Sequence, residues 1–424
     1  MRSKGFFMQF TPLHRLLGRP PGPLTDEMID EAIAEGLVEA DDLDWKDALP
    51  PAKGITSTDF PKDVAAMANS GGGIIVYGVT EDQKRANGRR PVEALTEAYS
   101  RTLHSAAVTA ISPPVFGLAI VELGEDDRRV VAVAVPDSPD GPHLIYRNEY
   151  FGAPRRNDAD TVWMKERQVE AAYRARFDER RHSYEALDRM FQELSIVSES
   201  DSRAWFIAVG RPRGANAPIR RWPRVEAQTL FREAAEHALG YVRRQNTSRP
   251  FEIVSLLNPA VGLRRWVVRT HRSENRREAT ASIHFDGSAS VASAIGGHHN
   301  GTDAYFEAWE YQADLVSASI ADFMGLVRAV GLELGSVDYE VRIGIVRSGP
   351  EQMRMYSSDR YGFVDPGYAT SMSTYIPVEA TIDTSADDSS FLHQVRDIIR
   401  DCLNQGGVEA LRGVEPCICD LCSQ

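Results

Sequence analysis

A chain of 424 residues exceeds the roughly 100–200 residues of an ordinary domain, so two or more domains are expected. Its hydrophobic content of 42% is that of a soluble protein with sizeable cores, and the absence of any uninterrupted apolar run of about 18 residues argues against a membrane span. A net charge of −13 argues against a surface that attracts nucleic acid everywhere. Four cysteines, none before Cys402, exclude a disulfide scaffold for the main body and fit a reducing, cytoplasmic setting.

Residues 1–24, which include the run Pro20-Pro21-Gly22-Pro23, read as a flexible leader whose short apolar stretch makes a poor signal peptide. Acids crowd residues 25–47. Thr25 ahead of Asp26 and Glu27 predicts a helix over about 26–35, and Leu43 and Trp45 mark a short strand. Thr58 or Asp59 as N-cap, with Pro61 in the first turn, starts a helix that runs to about Asn69. Gly71, Gly72 and Gly73 then let the chain reverse with close backbone approach. The apolar run Ile74–Val79 reads as a strand buried on both faces.

Residues 83–91 form a polar loop, and Val92–Ala110 has a helical pattern that Pro113-Pro114 stops. Val115–Leu123, Val130–Val135 and His143–Tyr150 read as strands, Gly152–Asn157 as a loop, and Val162–Phe191 as a long Arg- and Glu-rich helix broken near His182-Ser183. In the second half, strands are expected at Trp205–Val209, Phe251–Leu257, Trp266–Thr270, Thr280–Phe285, Ala289–Ile295, Tyr339–Val346 and Tyr375–Ile382. Helices are expected at Arg224–Val242, Tyr305–Leu334 and Ser390–Asn404. Mixed helices and strands without repeats give an α+β fold, with one domain over 25–192 and an unassigned α+β domain over 195–424.

Leu43-Asp44-Trp45-Lys46, then Ala66-Met67-Ala68-Asn69-Ser70 with Gly71-Gly72-Gly73, then Tyr77-Gly78-Val79 resemble the Schlafen AlbA-type (AlbA_2) family over about residues 25–180. Val135-Pro136-Asp137-Ser138, Pro142-His143, and Arg155-Arg156 ahead of Thr161-Val162-Trp163-Met164 extend the likeness. Asp44 stands where the family pattern has Glu, and Met67 where it has Phe. The resemblance implies a mixed α/β domain of bacterial type that binds DNA or RNA. In some members it also implies a metal-dependent RNA-cleaving site. Carried over residue by residue, it puts catalytic roles on Glu39, Asp44, Glu81 and Asp82, with Lys46 near the scissile phosphate. Glu39, Asp44 and Asp82 become candidate ligands for Mg or Mn, hard cations that take several carboxylate oxygens. The alternative is that Glu39 to Asp44 simply belong to an acidic surface run. At the level of function the rivals are an endoribonuclease, a non-catalytic DNA-binding transcriptional regulator and an ATP-binding protein.

Arg147, Arg155, Arg156, Arg174 and Arg176 are candidate phosphate contacts because the guanidinium fork matches phosphate oxygens. Tyr146, Tyr150 and Phe151, interleaved with them, are either stacking partners for unpaired bases or ordinary core residues of a strand. The three glycines precede a strand instead of opening a helix, and no Walker-type sequence is present. A tight turn is therefore favoured over a phosphate cradle. His298-His299 read as an exposed loop. Cys417, Cys419 and Cys422, with Cys402 as a fourth, read as reduced thiols in preference to a zinc site. Residues 195–424 are the candidate surface for a homo-oligomer or a protein partner.

Overall fold

The computed structural model describes residues 10–20, 22–147, 150–199, 202–213, 221–242, 258–270, 278–297, 306–335, 338–357 and 369–408. The chain divides into two compact units between Arg181 and His182. That is earlier than the expected boundary at 192–195. The reason is packing: Leu187, Met190, Phe191 and Leu194 join the core of the second unit.

The first unit contains helices α1 (Pro12–Leu16), α2 (Asp26–Ala34), α3 (Phe60–Ala68) and α4 (Glu97–Thr109), and the start of α5 (Glu166–Glu199). Its strands are β1 (Leu43–Lys46), β2 (Gly73–Tyr77), β3 (Val79–Asp82), β4 (Arg85–Arg89), β5 (Ile111–Ser112), β6 (Ala119–Leu123), β7 (Val130–Val135), β8 (Leu144–Arg147), β9 (Tyr150–Gly152), β10 (Pro154–Asn157) and β11 (Asp160–Trp163). The central sheet has the order β1-β2-β7-β6, with β1 parallel to β2 and the other pairs antiparallel. Both faces are covered, as the unbroken apolar runs of β2 and β7 require. Leu43, Trp45, Ile74, Val76, Val130 and Ala132 pack under α1 and α2. Ile75, Tyr77, Val131, Val133 and Val135 pack under α3 and α4.

Several expectations are corrected. Residues 83–89 belong to the β3–β4 hairpin, which Gln83 and Lys84 close with left-handed φ values of 49° and 64°. The helix expected from Val92 begins only at Glu97, after Pro91, with the Thr96 hydroxyl accepting the Tyr99 N–H at 3.1 Å. The loop expected over Gly152–Asn157 contains β10, which pairs with β11. The break expected at His182-Ser183 is absent from α5.

The second unit is built on an antiparallel sheet. Its strands are β12 (Trp205–Pro212), β13 (Ala260–Gly262), β14 (Arg265–Thr270), β15 (Ala279–His284), β16 (Ala289–Ala294), β17 (Glu310–Gln312), β18 (Tyr339–Val346), β19 (Met353–Tyr356), β20 (Ser371–Met372) and β21 (Val378–Ile382). Seven of them run in the order β13-β14-β15-β16-β12-β18-β21, and β17, β19 and β20 form a small separate sheet. Helices α6 (Arg224–Tyr241), α7 (Ala313–Glu333) and α8 (Asp388–Asn404) share the main core with Phe206, Ala208, Val341 and Ile343. The opposite face, with Trp205, Ile207 and Val209, receives the C-terminal part of α5.

The helix expected from Tyr305 starts only at Ala313, after β17. By length and mean hydropathy α7 could cross a membrane, yet 94% of its apolar window is buried inside the protein, as in a core helix. Gly325 lets α6 and α7 approach closely, since a Cβ there would lie 2.3 Å from the Ala234 carbonyl oxygen. The expected strand Phe251–Leu257, the pair His298-His299, and Cys417, Cys419 and Cys422 lie outside the described residues. Cys402 is fully buried on α8.

Candidate nucleic-acid interface and buried acid cluster

Strand periodicity decides where the acids of the first unit go. In the β1–β2 register Leu43 faces Ile74, Asp44 faces Ile75, Trp45 faces Val76 and Lys46 faces Tyr77. Side chains alternate between faces. Leu43 and Trp45 therefore enter the core beneath α2, while Asp44 and Lys46 share the α3 face with Ile75 and Tyr77. Asp44 is only 1% exposed. Two cations hold it: the Lys46 Nζ lies 2.6 Å from its Oδ2, and the Arg156 guanidinium, reaching in from β10, lies 3.2 Å from its Oδ1. Arg156 also donates to the Ala40 carbonyl at 3.3 Å.

Glu39 sits just before β1. Its Oε1 accepts the Trp45 backbone N–H at 2.9 Å, and its own N–H donates to the Lys84 carbonyl at 2.8 Å. Burial pushes the Glu39 carboxyl up to about 7; the Trp45 N–H opposes this, and the negative charges of Asp44 and Glu81 add to it. Asp63 on α3, which sequence reasoning missed, is buried on the same face. Burial raises it to about 6, with Lys46 pulling it down and Asp44 pushing it up. Burial disfavours the Lys46 ammonium, but the neighbouring Asp44, Asp63 and Glu39 outweigh that and leave its pKa raised. The helical pattern around Phe60–Ala68 was legible. The signal that would have flagged Asp63 is an acid one residue before the fully buried Val64, amid Ala65, Ala66 and Met67.

Glu81 and Asp82 are exposed on β3. Glu81 influences Glu39 electrostatically. Among the described residues no group of three or more His, Cys, Asp or Glu side chains converges as metal ligands must. Both oxygens of Asp44 face cations, Lys46 on one side and Arg156 on the other.

The glycine turn serves packing. The Gly72 N–H donates to the Met67 carbonyl, the Ile74 N–H to the Asp42 carbonyl, and Gly73 pairs with Val135. A Cβ on Gly72 would lie 2.7–2.9 Å from the backbone of Val135 to Asp137. The Gly72 and Ile74 amides thus have internal partners. The preceding Asn69 and Ser70 act as a clamp. Asn69 donates to the His143 and Pro154 carbonyls at 2.9 and 2.8 Å and accepts the His143 N–H at 2.7 Å, while the Ser70 hydroxyl accepts the Arg156 N–H at 2.9 Å. The clamp fixes β8 and β10 against the end of α3.

The expected arginine set divides. Arg156 is 4% exposed and is an internal ion-pair partner, so it does not present itself to a phosphate. Arg174 is exposed and paired with Glu170 at 2.6 Å, and Arg176 is half-buried. The Arg147 side chain lies outside the described residues. Arg155 points outward from β10 and makes no ion pair among the described residues, and neither do the exposed Lys165 and Arg167, which follow β11. Tyr146, Tyr150 and Phe151 are exposed, and Trp163 beside them is half-exposed. The core-residue alternative for Tyr146 and Phe151 is thereby corrected: the buried positions of this hairpin are Leu144 and Ile145.

A mixed sheet with helices on both faces, ended by paired hairpins, is the class of fold this unit defines. Residues 39–165 match the family model described as Schlafen, AlbA_2, so this part of the chain carries a Schlafen AlbA_2 domain. Among solved structures, the DIP2311 protein from Corynebacterium diphtheriae is 15% identical with a TM-score of 0.25, covering 35% of this chain and 28% of that one. The N-terminal domain of a putative ATP-dependent DNA helicase RecG-related protein from Nitrosomonas europaea is 16% identical with a TM-score of 0.25, covering 34% of this chain and 93% of that one. This chain thus spans well under half the length of the Corynebacterium protein. No curated protein matches.

Proposed function

We propose that the Schlafen AlbA_2 domain binds a polynucleotide through its phosphates and that Arg155, Lys165 and Arg167 make the contacts. One observation carries this reading. On a chain of net charge −13, these three exposed cations have no acidic partner among the described residues, whereas Lys46, Arg89, Arg128 and Arg156 are all held by carboxylates. An unpaired cation gives up little to meet a phosphate. One already held by Asp44 would have to abandon a buried charge, which is costly. The family match supports the same reading.

The acids Glu39 and Asp44 are engaged in an internal network, so the reading the geometry supports best is binding without metal-dependent hydrolysis at that site. Titration of the full chain against a labelled oligonucleotide across salt concentrations tests it. Binding should weaken steeply with salt. Replacing Arg155, Lys165 and Arg167 together by Ala should reduce the log–log slope by about 2–3, one phosphate contact for each. Salt-insensitive binding, or a triple variant that titrates like wild type, defeats the proposal.

A further inference from the structure

The β8–β9 hairpin carries more exposed aromatic surface than its share of the core explains. Tyr146 is 58% exposed, Tyr150 78%, Phe151 64%, and Trp163 on the adjoining β11 is 50% exposed. Register fixes their faces. Tyr146 lies opposite Phe151, with ring centroids 5.8 Å apart at 40°, on one side of the ribbon. Gly152 lies opposite the buried Ile145, and Tyr150 shares their side. Trp163 lies over Gly152 so closely that a Cβ there would come within 2.7 Å of the indole. The arm thus presents rings on both faces, and Asn69 braces its base through His143 and Pro154.

We infer that this aromatic arm is a stacking platform for the unpaired bases of a single strand. The inference rests on the polynucleotide reading above and specifies its ligand. Two features favour this occupant over a purely apolar one. Arg155 stands on β10 opposite Val162, the neighbour of Trp163 on β11, and Lys165 and Arg167 follow β11 in the chain, so cations that complement a phosphate backbone flank the rings in sequence. The exposed faces also suit bases that are free to splay, whereas the bases of a duplex already stack on each other. Stacking on Tyr, Phe and Trp is tolerant of sequence because every base has a π-face.

The test uses the full chain with three labelled probes of equal length: oligo(U), oligo(dT) and a blunt DNA duplex. Wild type should prefer the single strands. Tyr150→Ala, Phe151→Ala and Trp163→Leu should each weaken single-strand binding roughly tenfold with the duplex affinity and the salt slope unchanged, and Tyr150→Phe should bind like wild type. Thermal melts matching wild type would show that these exposed substitutions leave the fold intact. If wild type binds single and double strands equally and the ring variants change nothing, stacking is overturned while the phosphate reading stands. If wild type binds none of the probes at low salt, both fall. If sedimentation shows an oligomer that Tyr150→Ala dissolves without affecting nucleic-acid binding, the arm is a contact between copies and the inference is overturned.

Discussion

Arg156 shows how one side chain separates two roles that look alike in a sequence. Next to Arg155 it reads as half of a basic pair, yet strand alternation sends Arg155 outward and Arg156 inward to Asp44. Removing one partner of a buried ion pair leaves the other charge uncompensated. Arg156→Met is therefore expected to cost about 3 kcal/mol in a urea titration, whereas Arg155→Met should stay within about 0.5 kcal/mol, as a surface substitution does. Equal losses for the two would contradict the assignment.

Glu39 gives a second expectation, one in pH. Its folded-state carboxyl is raised from 4.5 to about 7, so between those values the folded chain holds a proton that the unfolded chain has released. Stability from this group is complete below about pH 4.5 and is lost as pH rises through about 7. Asp63, raised to about 6, acts in the same direction. Glu39→Gln keeps an acceptor for the Trp45 N–H and removes the ionisation. The variant should match wild type at acid pH and exceed it above neutrality, by at most about 3 kcal/mol. A variant less stable than wild type at about pH 8 would show that the glutamate is held as a carboxylate after all.

At the scale of elements, the glycine turn after α3 shows what the sequence makes legible. Its position between an amphipathic helix and an apolar strand was readable because both neighbours follow local periodicity. The same is true of α2, β18 and α8, which lie within a residue or two of where the pattern puts them. The β10–β11 ribbon was not readable. Pro154, at the head of a four-residue strand, looks like a loop residue, and the turn through Asp158 depends on a left-handed φ of 54°. The Asp44–Arg156 pair was out of reach for another reason: its members are 112 residues apart, and no local pattern encodes their meeting.

The turn itself supplies a paired expectation. Gly71 and Gly72 both have positive φ, 96° and 85°, but only Gly72 is enclosed by backbone. Gly71→Ala should cost about 1–2 kcal/mol, the penalty of a left-handed conformation alone. Gly72→Ala must also displace the chain at Val135 to Asp137 and should cost about 2–4 kcal/mol. Thermal melts of the two variants measure the difference.

For the whole molecule, the decisive fact is that each hydrophobic cluster among the described residues draws on one unit. Those of the first unit draw on residues up to Ile145, and those of the second begin at Leu187. Among the described residues each core is secured by its own side chains, and distant, independent sites contribute additively to stability. Phe323 on α7 is fully buried in the second core. Truncating such a ring costs about 3–5 kcal/mol through lost burial and the cavity left behind. In calorimetry, Phe323→Ala should lower one unfolding transition and leave untouched the transition that Arg156→Met lowers. At a temperature where both units remain folded, Phe323→Ala should also leave the salt slope of oligonucleotide binding unchanged, because none of the cations assigned to phosphate contact lies in the second unit. A shift of both transitions together would mean that the two units unfold as one. A changed salt slope would mean that the phosphate contacts extend beyond the AlbA_2 domain and its flanking helix.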